Sequence, residues 1–153
     1  MPTNRLKEFF ETEGIRYTSQ SHPTAYTAQE IAATAHVPAK SFAKTVIVNI
    51  DGKPAMAVLP ANRKVVLQDL RDVTGIEHVT FMPEHEFQEC FPDCEPGAMP
   101  PFGNLYGMEV FVAPELTGNE EIAFNAGTHA EVIRIAYGDF DRLVHPRVMS
   151  FTT

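Results

Sequence analysis

Apolar and polar residues alternate along most of the chain's apolar segments, which predicts β-strands, and fewer segments show the 3.6-residue spacing of a helix. Strands are expected at residues 15–21, 41–50, 53–59, 77–82, 108–113, 121–125 and 131–137. Short helices are expected at residues 3–13, 28–36, 67–74, 83–91 and 140–145. Strands with short helices scattered between them, and no regular βαβ repeat, indicate an α+β fold.

Turn and capping residues mark the ends of several of these elements. The residues expected to cap helix N-termini are Thr3, Thr27 and Asp139. Asp51-Gly52 is a two-residue hairpin signal, so we expect residues 53–59 to fold back beside residues 41–50. Both faces of this hairpin are apolar, and we therefore expect it to be covered on both sides.

Composition and charge narrow the class of protein. Hydrophobic residues make up 44% and charged residues 21% of the 153 residues, which fits one globular domain over residues 1–153. A net charge of −8 disfavours a general nucleic-acid surface, but it allows a local basic site for one nucleic-acid end. The N-terminus lacks a signal-peptide pattern and no apolar run approaches the ~18 residues of a membrane span, so we expect a cytoplasmic protein without a membrane partner.

Lys44 is the first candidate for chemistry, because it shares a strand face with Val46, Val48 and Ile50. Burial of a lone ammonium is unfavourable, so such a lysine is expected to reach a partner, a cavity or solvent. Two interpretations stay open. Lys44 is either a strand-end lysine whose head group extends into water, or a lysine that binds an anion or takes part in catalysis.

Two other segments could carry chemistry. In the proline-rich segment 92–103, Gly97 would expose backbone groups at a fixed place where a small substrate can approach, although a plain structural turn would show the same pattern. At residues 124–129 a strand end, a glycine turn and His129 follow one another. His129 is a candidate base, and a purely structural histidine is the alternative.

The remaining polar clusters give weaker indications of a functional site. Cys90 and Cys94 lie near His78 and His85, but the spacing lacks the second ligand pair of zinc sites, so we expect free thiols and no metal. We find no phosphate-loop or dinucleotide fingerprint and expect no cofactor. Five acidic side chains are expected to form a solvated face: Glu84, Glu86, Glu89, Asp93 and Glu95.

Three motifs then occur in a recognisable order: Lys44-Thr45-Val46-Ile47-Val48, the Gly-x-x-x-Pro of residues 97–101 followed by Phe102-Gly103, and Phe124-Asn125-Ala126-Gly127. In this ordered set the chain resembles the YbaK / prolyl-tRNA synthetase insertion-domain family of aminoacyl-tRNA deacylases, from its first helix to about Pro146. The resemblance implies a mixed, barrel-like central sheet flanked by short helices. It also implies hydrolysis of amino acids wrongly attached to tRNA, in many members by a free-standing protein.

The resemblance implies roles for particular residues. Lys44 would hold a phosphate of the terminal adenosine or the developing oxyanion, the Gly97 backbone would fix the amino acid or ribose, and His129 matches a histidine that some members use. Pro100 stands where the family often has a polar residue. Residues expected to contact the substrate are Phe42, Thr45, Met56, Ala98, Met99, Pro101, Phe102, Asn125 and Gly127.

The identity of the amino acid and the group that activates the attacking water are predicted only in part. A pocket lined by Phe42, Met56, Met99 and Phe102 would favour a small amino acid such as alanine, serine, threonine or cysteine. The attacking water is oriented either by the adjacent ribose hydroxyl of the substrate or by His129 as general base.

The resemblance also implies partners, and two rival functions stay open beside it. It implies the aminoacylated 3′ adenosine of a tRNA acceptor end as a partner, and an aminoacyl-tRNA synthetase as a further one. The sequence does not specify the oligomeric state, and a monomer is the simplest expectation. A non-catalytic nucleotide or aminoacyl-tRNA binding module, and a hydrolase of free small esters or amides, are the alternatives.

Overall fold

The computed structural model describes residues 4–23, 25 and 27–153, with only the backbone of Asn4. The α-helices in this part are α1 (Asn4–Glu13), α2 (Ala28–Thr34), α3 (Leu67–Thr74), α4 (Glu84–Phe87), α5 (Pro114–Thr117) and α6 (Tyr137–Val144). The strands are β1 (Thr18–Ser21), β2 (Ala43–Ile50), β3 (Lys53–Pro60), β4 (Val79–Phe81), β5 (Glu109–Val112), β6 (Glu121–Asn125), β7 (Glu131–Ala136) and β8 (Arg147–Val148). None of the described helices has the length and apolar character needed to cross a membrane.

The strands form two sheets, which confirms the α+β class with short flanking helices. One sheet has the order β4-β2-β3-β5-β8 and the other the order β1-β7-β6. A parallel bridge between Phe42 and Ala123 links the start of β2 to β6. Among the described residues the strands do not close into a barrel, so the barrel-like arrangement is limited to these two linked sheets.

The β2–β3 hairpin has the predicted register around its Asp51-Gly52 turn, from Ala43 opposite Pro60 to Ile50 opposite Lys53. Both of its faces are covered, as expected. Ile47 and Met56 face the core between the two sheets. Val48 and Leu59 face a second cluster beneath α3, because side chains alternate along a strand.

Aromatic rings dominate the core between the sheets. Phe102 is fully buried, and its ring centroid lies 5.3 Å from that of Phe10, 5.4 Å from Phe124 and 5.7 Å from Phe140. These contacts connect α1, β6 and α6 through one side chain. A separate small cluster lies under α2, where Ile31 and other residues pack against Phe42.

Some local predictions are confirmed and others are wrong. Thr27 caps α2, its hydroxyl accepting a hydrogen bond from the Glu30 amide at 3.1 Å. Thr3 lies outside the described residues. Asp139 is not a cap, because α6 begins at Tyr137 and the N-cap residue is Ala136. The predicted helix 83–91 divides into α4 and a 3₁₀ turn at Gln88–Cys90.

Candidate active site

The C-terminal end of β6 is where the separate motifs meet. Ala123 bridges Phe42 at the start of β2. Further along, the Gly127 amide donates to the Ala98 carbonyl at 3.0 Å, and the Gly127 carbonyl accepts from the Glu95 amide at 2.8 Å. Asn125 lies between these two contacts along β6. On one side of it is the strand that carries Lys44 (the lysine strand), and on the other is the loop that carries Gly97.

Asn119 fixes the start of β2 to the region just before β6. Its amide nitrogen donates to the Lys40 carbonyl at 2.9 Å, and its side-chain oxygen accepts from the Ser41 hydroxyl at 2.9 Å. The Ala61 amide also donates to the Phe42 carbonyl at 2.9 Å, which ties in the end of β3. The backbone that carries Lys44 is therefore held from two sides.

Gly97 and His129 lie next to each other. Gly97 has a φ of +83°, and a Cβ added there would lie 3.5 Å from His129 Cε1. His129 is buried, and its Nε2 lies 2.7 Å from the Pro96 carbonyl oxygen. Because a carbonyl only accepts, Nε2 carries the proton of this hydrogen bond, and in the neutral ring Nδ1 is the basic nitrogen. The loop thus sets the tautomer of the candidate base.

Glu95 is exposed, as predicted for a solvated face, and it also contributes to the site. One of its carboxylate oxygens accepts from the His129 amide at 2.6 Å. Asp93 departs from that prediction, since it is partly buried and its carboxylate accepts a hydrogen bond from the Tyr106 hydroxyl at 3.2 Å. Periodicity could not show these roles, because both partners lie more than ten residues away along the chain.

Lys44 is half-buried and its ammonium lines a recess of about 280 Å³. Its Nζ donates to the Ala61 carbonyl at 3.5 Å. The described residues of the recess include three cations and no acidic side chain: Thr27, Ala28, Gln29, Lys44, Ala61, Asn62, Arg63 and Lys64. The structure therefore agrees with a lysine that reaches a cavity, in a wall that would attract an anion.

The electrostatics of this recess support the same conclusion. The pKa of Lys44 is lowered, first because burial removes water from around the ammonium and second because Lys64 is a nearby cation. An anion bound in the recess would offset both effects. Sequence reasoning missed Arg63 and Lys64, although the hairpin register, which pairs Lys44 with Leu59, brings the residues just after β3 close to it.

The other predicted substrate contacts lie in different places. Ala98, Asn125 and Gly127 belong to the junction at the end of β6, with Pro101 buried further along the loop. Met56, Met99 and Phe102 belong to the core between the sheets. Phe42 belongs to the cluster under α2, so the structure does not bring it together with those three.

Two buried side-chain oxygens of these motifs, one on β6 and one on β2, lack hydrogen-bond partners. Asn125 is only 7% exposed, and its Oδ1 has no donor. The Thr45 hydroxyl is likewise enclosed and unpaired. Buried polar atoms are nearly always paired in native proteins, so such atoms mark places where a ligand or water would complete the structure.

Other polar features of the described residues differ from this site. A larger cavity of about 640 Å³, lined partly by Asp51, Lys53 and Glu109, mixes both signs of charge at the far end of the hairpin. Both cysteines are free, and the Cys94 thiol, whose pKa is raised to about 11 chiefly by burial, contacts the Tyr106 hydroxyl. The described residues contain no group of three or more His, Cys, Asp or Glu side chains that could hold a metal ion.

Comparisons with known proteins agree with this geometry. A family model described as an aminoacyl-tRNA editing domain matches residues 22–143, which contain all three motifs. No curated protein matches the sequence significantly.

Solved structures share the fold at low sequence identity. A protein described as a candidate trans-editing enzyme for prolyl tRNA synthetase has a TM-score of 0.87 and 17% identity, covering 99% of this chain and 97% of its own. A hypothetical protein has a TM-score of 0.87 and 16% identity, covering 98% and 100%. A scaffold used for epitope grafting has a TM-score of 0.86 and 16% identity, covering 99% and 97%. At such identities these likenesses establish the fold alone.

Proposed function

The chain belongs to the aminoacyl-tRNA editing domain family, and we propose that it hydrolyses the ester between a small amino acid and the 3′ adenosine of tRNA, acting in trans. The observation that carries this proposal is the meeting of the lysine strand, the Gly97 loop and the His129 turn at the end of β6. A protein of the same fold is described as a candidate trans-editing enzyme, which supports action on tRNA charged elsewhere.

Ester hydrolysis requires little from the protein beyond positioning of the substrate and stabilisation of negative charge. In hydrolysis, water attacks the ester carbonyl carbon, the bond to the ribose oxygen breaks, and that oxygen leaves with a proton. Lys44 would stabilise negative charge, either on the oxyanion or on the terminal phosphate, in a half-buried setting where its charge acts strongly. The loop at Gly97 would hold the acyl-adenosine end against this cation.

Water activation has two possible sources in this site. The free ribose hydroxyl next to the ester can orient the water without a protein base. His129 is the alternative, acting through Nδ1, since Nε2 donates to Pro96. Its ring lies next to Gly97, where the substrate would approach, and this supports keeping it as a candidate catalytic residue with Lys44 and Gly97.

A panel of mischarged tRNAs tests the proposal. Wild-type protein should release alanine, serine, threonine or cysteine from at least one tRNA far faster than spontaneous hydrolysis, and should act poorly on large side chains. A pocket separates close isosteres by only ~1–3 kcal/mol, so several small amino acids could be released. If no charged tRNA in the panel turns over above background, the proposed function is wrong.

Replacing Lys64 with alanine should weaken the binding of tRNA without changing the chemical step. The recess would lose one of its three cations, and each phosphate contact to a single strand contributes roughly 0.7 to the slope of log affinity against log salt. We expect the slope to become shallower by roughly that amount and kcat to stay near the wild-type value. Lys53→Ala, at an exposed position of the hairpin, is the matched control. Equal salt slopes for the two variants would contradict a phosphate site in the recess.

Replacing Gly97 with alanine should impair both stability and activity, and the hairpin glycine provides a matched comparison. Gly97 and Gly52 have φ values of +83° and +89°, which cost an L-residue roughly 1–2 kcal/mol. A Cβ at Gly52 would have no atom within 4 Å, whereas one at Gly97 contacts the His129 ring. We therefore expect similar losses in the free energy of unfolding for Gly97→Ala and Gly52→Ala, measured by urea denaturation.

Only Gly97→Ala should reduce deacylation, by about tenfold or more, because relaxation of the loop would displace the Pro96 carbonyl that orients His129. Equal activity of the two variants at equal stability would show that the Gly97 loop does not position the substrate.

A further inference from the structure

His22 is a buried histidine beside the proposed site that has no role so far. It directly follows β1, and its backbone amide donates to the Ala130 carbonyl at 2.9 Å, which continues the pairing of β1 with β7. His22 as a whole is only 9% exposed. The Ala25 amide lies 3.5 Å from the His129 carbonyl oxygen, so Ala25 lies against the His129 turn.

One ring nitrogen of His22 has a definite partner and the other has none. Nδ1 lies 2.8 Å from the Pro23 carbonyl oxygen, and since a carbonyl only accepts, Nδ1 carries the proton. In the neutral ring Nε2 is then an acceptor, and it is enclosed without a hydrogen-bond partner. Native proteins rarely keep a buried acceptor unpaired, so a missing donor is indicated at this place.

Strand register puts His22 on the same sheet face as Asn125 and Lys44. Ser21 pairs with Glu131, so the extended pairing sets His22 opposite Ala130, on the face of Val132. Val132 pairs with Asn125, and Asn125 shares its face with Ala123, which bridges Phe42. Because Lys44 follows Phe42 by two residues, His22, Asn125 and Lys44 come to one face at one end of the linked sheets.

The chemistry of this face suggests what it binds. It offers a cation at Lys44 and two unpaired acceptors, Asn125 Oδ1 and His22 Nε2. The strands of His22 and Lys44 are three strand spacings apart, roughly 14 Å, a separation that two long side chains and one nucleotide can span. A ligand with a phosphate at one end and neutral hydroxyl donors further along would satisfy all three groups.

We propose that His22 is a substrate-binding residue whose Nε2 accepts a hydrogen bond from a free hydroxyl of the terminal ribose. A neutral imidazole acceptor suits a neutral hydroxyl donor, whereas an α-ammonium group would be better served by a carboxylate. This inference rests on the proposed function for the identity of the ligand, and it adds a contact that fixes the ribose relative to Lys44.

Uncharged RNA minihelices test this contact without any hydrolysis. One ends in CCA with a normal terminal adenosine, and the other ends in 2′,3′-dideoxyadenosine. Wild-type protein should bind the dideoxy RNA roughly 3- to 10-fold more weakly, the value of one neutral hydrogen bond. His22→Ala should bind both RNAs equally, at about the weaker affinity. His22→Gln, which retains an acceptor, should recover part of the preference.

A control variant accompanies this test, and its result is independent of the deacylation assay. His78→Ala removes an exposed imidazole just before β4 and should leave the preference unchanged. If His22→Ala retains the wild-type preference, His22 does not contact a ribose hydroxyl and its free nitrogen serves only a bound water. The binding assay does not depend on deacylation, so a negative tRNA panel would overturn the proposed function and not this contact.

A measurement on wild-type protein covers the case in which both variants fail to fold. The nitrogen-15 resonance of His22 Nε2 should shift on binding the RNA with a normal adenosine, because a new donor contacts the lone pair. It should shift much less with the dideoxy RNA. Equal shifts with the two RNAs would overturn the proposal.

Discussion

Lys44→Ala should lower the rate of deacylation by about 10²- to 10³-fold, measured in single turnover on the tRNA that the panel identifies. This is the usual loss when one preorganised group that stabilises developing charge is removed. Lys44 is the half-buried cation of the recess between the start of α2 and the residues just after β3, where Arg63 and Lys64 are its neighbours. The effect should fall mainly on kcat if Lys44 stabilises the oxyanion, and on substrate binding if it holds the phosphate.

The same substitution should not weaken the fold. The ammonium makes one long hydrogen bond, 3.5 Å to the Ala61 carbonyl, and its pKa is lowered by burial and by Lys64. A base with a lowered pKa is one whose charged form the folded state disfavours, so removing the charge should leave Tm unchanged or raise it slightly. Lys53→Ala should affect neither property. A Lys44→Ala protein that deacylates at the wild-type rate would show that the recess plays no part in the reaction.

Phe102→Ala should destabilise the protein by about 3–5 kcal/mol, measured by urea denaturation. The Phe102 ring is fully buried and contacts Phe10, Phe124 and Phe140, so its loss would leave a cavity where α1, β6 and α6 meet. Phe81→Ala is the control, because Phe81 is 50% exposed and its removal should cost less than about 0.5 kcal/mol.

The outcome for Phe102 also bears on the amino-acid pocket. Phe124 directly precedes Asn125, so loosening the aromatic core should also disorder the junction and reduce activity. If Phe102 were mainly a pocket wall, its replacement would instead change which amino acids are released while stability stayed within about 1 kcal/mol of wild type.

Local sequence patterns predicted the fold well where the signal lies within a few residues. The Asp51-Gly52 turn, the Thr27 cap and helix 67–74 are all present, because turn geometry and capping depend on neighbouring side chains. Failures occurred where tertiary packing prevails over local propensity. Asp139 lies inside the first turn of α6 because that helix begins directly after β7, and α5 and β8 are too short to produce a periodic pattern.

The sequence singled out Lys44 and Gly97 as candidates, but not the arrangement around them. An ammonium on an apolar strand face and a glycine in a proline-rich loop are unusual enough to stand out in the sequence. The contact of the exposed Glu95 carboxylate with the His129 amide was not predictable, because the two residues lie far apart along the chain. The recess cations Arg63 and Lys64 look like ordinary loop charges until the hairpin brings them beside Lys44.

The amino-acid sequence by itself determined most of the secondary elements, the hairpin register, the family resemblance and the identity of the polar groups. These depend on short-range backbone preferences and residue chemistry. The tertiary structure alone decided that β6 is where the motifs meet, that a proline carbonyl sets the His129 tautomer, and that buried acceptors stay unpaired at Asn125 and His22. Those features depend on contacts between residues distant in sequence, which only the packing of the two sheets creates.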